Sequence, residues 1–186
     1  ERLARRFARE YGYRCANRAS LDIYVDASVY FYVCVSASNQ FVYHWNRGML
    51  EINQKLLSIP SLRSRNRKIK AETKALKKKI FKEILPDFAK QVRKKVSTRL
   101  KSEEDTEKWY QTALADKTLS EEIKDDLKEA FTAYKELKLI AETLSTGDTK
   151  SGLGLGEFRE KVMRLWYDVQ IHSMNVGKET AQAIGN

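Results

Sequence analysis

The sequence predicts an all-α fold, a helical bundle of five or six helices entered by an amphipathic, Arg-rich N-terminal helix or arm. Three observations carry that expectation. Eight Gly and two Pro in 186 residues are too few turn formers for a β-sandwich or barrel. Apolar residues recur at spacings of three and four over long stretches, which is the period of one helix face. Apolar residues at 42% and charged residues at 32% give a charge-rich chain that still has enough carbon to build a core. The length fits one domain, divided as a basic arm at 1–19, a bundle at 20–176 and a peripheral tail at 177–186. Because the sequence opens on Glu1 and not Met, a longer product is expected.

In the arm, Leu3, Phe7, Tyr11 and Cys15 fall four apart while Arg2, Arg5, Arg6, Arg9, Arg14 and Arg18 take the other faces. Ser20 is a candidate cap for a helix running to about Leu57, with Gly48 its weakest point and Pro60 its stop. From Ala27 to Asn46 no residue carries a formal charge. That length reaches a membrane span, yet Ser28, Ser36, Ser38, Asn39, Gln40, His44 and Asn46 would each need a partner in lipid, so a central buried helix is expected and a strand pair is its competitor.

After a loop at Ser58 to Ser64, an apolar stripe of Ile69, Leu76, Ile80, Ile84, Phe88, Val92, Val96 and Leu100 is interrupted at Pro86, by a kink or by the meeting of two helices. Ser102 and Ser120, each followed by two acidic residues, mark two further helix starts, with Trp109, Tyr110 and Leu114 as core candidates after the first. After Ser120 a heptad seam follows: Ile123, Leu127, Ala130, Tyr134, Leu137, Ala141 and Leu144. The Gly-rich stretch from Ser145 to Glu157 reads as a loop, and Phe158, Val162, Leu165, Val169 and His172 place a last helix to about Val176, ended by Gly177.

Catalytic and cofactor motifs are missing from the sequence. Gly147 to Gly152 has the residue types of a phosphate loop, but Gly152 is followed by Leu153 and Gly154 where that loop needs Lys and Ser or Thr. Cys15 and Cys34 lack metal-ligand spacing, and free or buried thiols are expected, consistent with an intracellular or virion setting and not with a disulfide-stabilised secreted protein. His44 reads as a packed core histidine, and the carboxylates Glu121, Glu122, Asp125 and Asp126 as a solvated face. No cofactor, no metal and no enzymatic activity is expected.

Charge is sorted along the chain. Between Arg63 and Lys101 there are 16 Lys or Arg against Glu72, Glu83 and Asp87, a balance of +13 within a total of +10. Residues 103–142 hold 12 acidic and 6 basic side chains, a balance of −6, and this face is a candidate intramolecular partner for the basic block. A block of one sign attracts polyanions, so the expected function is non-enzymatic binding or packaging of nucleic acid through backbone phosphates without sequence preference. The candidate contacts are Arg2, Arg5, Arg6, Arg9, Arg63, Arg65, Arg67, Lys68, Lys70, Lys77, Lys78, Lys79, Arg93, Lys94 and Lys95. DNA is favoured over RNA as partner, with self-assembly or another protein beside it. A helical adaptor or complex subunit is the alternative.

Two family resemblances bear on this expectation. An Arg-rich amphipathic start followed by a helical bundle without an active site resembles the coat proteins of archaeal filamentous viruses, which wrap DNA between helical subunits. That resemblance is one of architecture. It implies that Arg2, Arg5, Arg6, Arg9 and the cluster from Arg63 to Lys70 line nucleic acid, and that the subunit works in an assembly. Arg164 and His172 on the last helix resemble the Arg-to-His pairing of small helical ribonucleases of the HEPN type, although seven residues separate them, more than that motif allows. This second resemblance implies a ribonuclease.

Overall fold

In the computed structural model of the chain, which describes residues 18–96, 103–146 and 155–185, there are helices and turns and no strand among the described residues. The uncharged run lies inside a single long helix, α1 (Arg18–Leu56), so the strand alternative is excluded. Ser20 sits within α1 with its side chain fully buried, and so does not cap the helix. Of the predicted arm, Arg18 and Ala19 belong to α1, and the Arg18 guanidinium lies 4.2 Å over the Trp109 ring. Arg2, Arg5, Arg6, Arg9, Arg14 and Cys15 lie outside the described residues.

Pro60 stops α1 as expected. In the following turn Ser61 caps α2 (Leu62–Lys79), its Oγ accepting from the Ser64 N–H at 3.4 Å. At Pro86 the structure follows the second alternative, two helices, with the second starting at Leu85 and a π-helical turn joining them. α2 widens into one π-helical turn at Ile80–Ile84, where the Leu85 N–H donates to the Ile80 carbonyl, and continues as α3 (Leu85–Val96). Pro86 cannot donate and would crowd an α-helical carbonyl four residues back, and the wider turn opens the ladder just ahead of it. A π turn also adds about one residue to the helical repeat. The buried stripe therefore moves from Ile80 to Leu85, Ala89, Val92 and Val96, leaving Ile84 and Phe88 only partly buried.

The body of the bundle is closed by α4 (Glu103–Ala115), α5 (Glu121–Thr146) and α6 (Leu155–Gly185). The Ser120 Oγ caps α5 by accepting from the Ile123 N–H at 3.2 Å. All seven residues of the predicted heptad seam in α5 are buried, and α5 packs on α6 and on α1. The third member of that face, α6, buries Val162, Leu165, Val169, Ser173 and Val176. It runs through Gly177, which is itself buried, so this glycine does not end the helix. A single glycine costs a helix only ~1 kcal/mol against Ala, and packing along α5 outweighs that. Cys34 is a free thiol in the core, pushed up to about 12 by burial, and is therefore inert. No helix among the described residues is long and apolar enough to cross a membrane.

Candidate nucleic-acid interface

The fully buried core of the body takes residues from α1 as far as Phe41, with Trp45 of α1 and Leu76 of α2 partly buried against it. Beyond it Ile52 and Leu56 are buried, but outside that core, where the distal part of α1 packs on α2 to form a helical hairpin. At the base, Phe41 stacks on Trp45 (5.8 Å between centroids) and meets Phe81 at 5.1 Å. Higher up, a Cβ on Gly48 would lie 2.5 Å from Leu76 Cδ1, so the missing side chain is what lets the two helices approach. The Lys55–Glu72 ion pair (3.4 Å) and a Thr73 hydroxyl donating to Met49 Sδ (3.7 Å) close the pair.

No residue of α2 is buried. Its inward side carries Ile69, Thr73 and Leu76, while Arg63, Arg67, Lys70, Lys74 and Lys77, at spacings of four and three, form one exposed cationic row. The row spans ~21 Å at 1.5 Å per residue. None of these five groups enters an ion pair among the described residues. Adjacent like charges at these spacings cost a helix about 0.2–0.5 kcal/mol per pair, so the row is held against its own repulsion. Lys68, Lys78 and Lys79 are also exposed, Lys78 beside the row and Lys68 and Lys79 on another side of the helix. Lys74 is missing from the candidates read from local clusters, although the four-three spacing of the cations themselves marks it.

Other sequence candidates are placed differently. Arg65 turns back on the hairpin loop, where its Nε and Nη2 donate to the Ile59 carbonyl at 3.2 and 2.6 Å, so its fork is occupied. Arg93 pairs with Glu142 of α5 at 3.5 Å. Lys94 and Lys95 are exposed on α3, which packs on the body, so they do not extend the row of α2. The acidic face of α5 is met mainly by other cations: Lys124 with Glu121 (3.5 Å), Lys128 with Asp125 (3.3 Å) and Lys161 of α6 with Glu136 (3.9 Å). It therefore reaches the basic block at Arg93 and leaves the α2 row open.

A second polar cluster, between α5 and α6, is one that sequence reasoning missed. Asp126 Oδ1 lies 2.6 Å from His172 Nδ1 and accepts from Asn175 Nδ2 at 3.3 Å. On the next turn Glu179 is pushed up to about 7, first by burial and then by the charge of Asp126, its hydrogen bond with Asp126, and the charge of Glu122. His172 is thus directed to Asp126. Arg164 is exposed eight residues earlier on α6, ~12 Å away along the axis. His44 is partly exposed and meets the Tyr43 ring edge-on at 5.1 Å. No group of three or more His, Cys, Asp or Glu is placed to hold a metal among the described residues. Gly147, Gly152 and Gly154 of the Gly-rich stretch lie outside the described residues. Comparison of the chain with family models, curated proteins and solved structures finds no match.

Proposed function

We propose that the chain is a non-enzymatic nucleic-acid-binding protein, coat- or nucleoprotein-like, that holds backbone phosphates along α2, with DNA as the favoured polymer. The observation that supports this reading is the cationic row of Arg63, Arg67, Lys70, Lys74 and Lys77, which has no ion-pair partner among the described residues, on a helix with no buried residue. Such a row gains most from a linear polyanion, which neutralises several adjacent charges at once and releases its condensed counterions. The row carries no aromatic side chain to stack on bases, so it reads phosphate and not sequence.

Titration of labelled duplex DNA and duplex RNA at several salt concentrations tests the proposal. Five phosphate contacts on B-DNA give a slope of log K against log salt of about −4.5, at roughly −0.9 per contact. Replacing Arg67, Lys70 and Lys74 by Gln flattens that slope by about 2.7 and weakens every sequence alike. A salt-insensitive affinity, or a slope unchanged in the triple variant, rejects phosphate binding by α2.

A further inference from the structure

The side of α1 turned away from α2 carries a second pattern. Tyr32, Ser36, Asn39, Tyr43, Asn46, Leu50, Asn53 and Leu57 follow spacings of four and three without a break, a heptad seam of large side chains interleaved with amides. Leu57 continues the helical path, because its N–H donates to the Asn53 carbonyl at 3.1 Å. Tyr32, Tyr43, Leu50 and Leu57 are 56%, 55%, 59% and 70% exposed, and the three asparagines are exposed as well. Gly48 and Met49, which face Leu76 and Thr73 of α2, lie on other sides of the helix. The seam is thus a solvent-facing stripe with the period of a coiled coil.

We propose that two copies of the chain associate through this seam, α1 against α1, parallel and in register. Parallel pairing sets each residue against itself. Leucine then meets leucine, tyrosine meets tyrosine, and Asn46 and Asn53 each find an amide that can both donate and accept, while Asn39 Oδ1 already accepts from Arg159 Nη2 of α6 at 3.5 Å. Antiparallel layers would set Asn46 against Leu50 and Asn53 against Tyr43, burying amides without partners at about 1–3 kcal/mol each. Charge favours a second copy over a charged partner. The seam residues carry no formal charge, the flanking Arg47 and Glu51 neutralise each other at 3.5 Å, and the one cation that touches the seam among the described residues, Arg159, is turned onto Ser38 and Asn39 of its own chain, whereas α2 would repel its own copy.

The area is sufficient. Four large side chains, each more than half exposed, offer about 100 Å² apiece, taking roughly 200 Å² for a whole aromatic side chain. Two copies bury about 800 Å² from these alone, and the Ser and Asn positions carry the total past the ~1,000 Å² expected of a specific interface. The two α2 rows stay on the outer flanks, so this pairing and nucleic-acid binding use opposite sides of α1 and stand or fall separately.

Sedimentation velocity of the nuclease-treated full chain tests the pairing. The expected mass at high micromolar concentration is twice the 21.6 kDa of one chain. Leu50→Asp with Leu57→Asp, both at exposed positions, should raise the dimer Kd by about tenfold or more while helicity by circular dichroism is unchanged. For orientation, Asn53→Cys in a Cys15→Ser background should oxidise to a covalent dimer, and Lys55→Cys, off the seam, should not. A monomer at every concentration, a dimer indifferent to the double substitution, or equal crosslinking of the two cysteine variants overturns the proposal.

Discussion

The two ends of α1 carry the same helix in opposite environments. Toward its N-terminal end Ile23, Ala27, Tyr30, Val33, Cys34 and Ala37 are buried in the body, and even Asp22 and Asp26 are almost fully enclosed. Toward its C-terminal end burial falls to Ile52 and Leu56, and the neighbour is a helix with no buried residue at all. The body is stabilised by a shared apolar core, so its parts are expected to melt together. By contrast, the hairpin depends on a close approach at Gly48, an aromatic hinge at Phe41, Trp45 and Phe81, and a few polar contacts. Stability is concentrated at one end and charge at the other, the arrangement expected of a rigid platform presenting a binding element.

The largest test of this contrast is a cavity on each side of it. Leu137 is fully enclosed in the body, and Leu137→Ala should cost about 2–5 kcal/mol and lower the melting temperature by roughly 4–20 °C. Leu76→Ala, on a partly exposed side chain of the hairpin, should lower it by much less, and a comparable fall for the two would erase the distinction.

A smaller effect belongs to a buried polar contact. The Thr106 hydroxyl donates to Asp26 Oδ2 at 2.7 Å between α4 and α1. Thr106→Val keeps the shape and removes the donor, so chemical denaturation should show a loss of about 1–3 kcal/mol. In the hairpin, Gly48→Leu places a side chain where Leu76 already sits. The expected outcome is separation of α2 from α1, read as faster amide exchange throughout α2 and new cleavage near Ile59, with the body's melting temperature nearly unchanged. Protection of α2 equal to that of the unsubstituted chain would show that the close approach is dispensable.

Much of the body was legible in the sequence because its signals are local and repeated. The α5 seam is seven apolar residues at regular spacing, so periodicity alone assigned its face. The π turn was not legible, because one extra residue per turn shifts the stripe from Ile84 to Leu85, and both are apolar. Arg65 looked like its neighbours Arg63 and Arg67, and only the path of the loop brings the Ile59 carbonyl within its reach. The seam on α1 was hidden in another way. Its asparagines mask the apolar period, and the uncharged run reads as core until the structure shows where the neighbours stop. Asp126 and His172 lie 46 residues apart, and their contact needs the relative register of two helices, which no single-helix pattern contains.

That α5–α6 contact supplies the smallest expected effect, one that depends on pH. Glu179 has its pKa raised from 4.5 to about 7 in the folded chain. A raised carboxyl pKa means that the folded state binds this proton more tightly than the unfolded state does. The stabilisation is therefore fully present below the unfolded value and fades as pH rises through the folded one, so the loss falls between about 4.5 and about 7. Above that window Glu179 is charged beside Asp126 and Glu122, and the end of α6 is held less firmly. Glu179→Gln removes the titration while keeping the shape. Thermal melts should then place the variant above the unsubstituted chain at pH 8 and level with it at pH 4, below the unfolded value, with amide exchange localising the gain to the last turns of α6. The hairpin is remote from this contact, and α2 exchange should not respond to pH through Glu179. If the two chains keep the same difference in melting temperature at both pH values, the proton held at Glu179 plays no part in fastening α6 to α5.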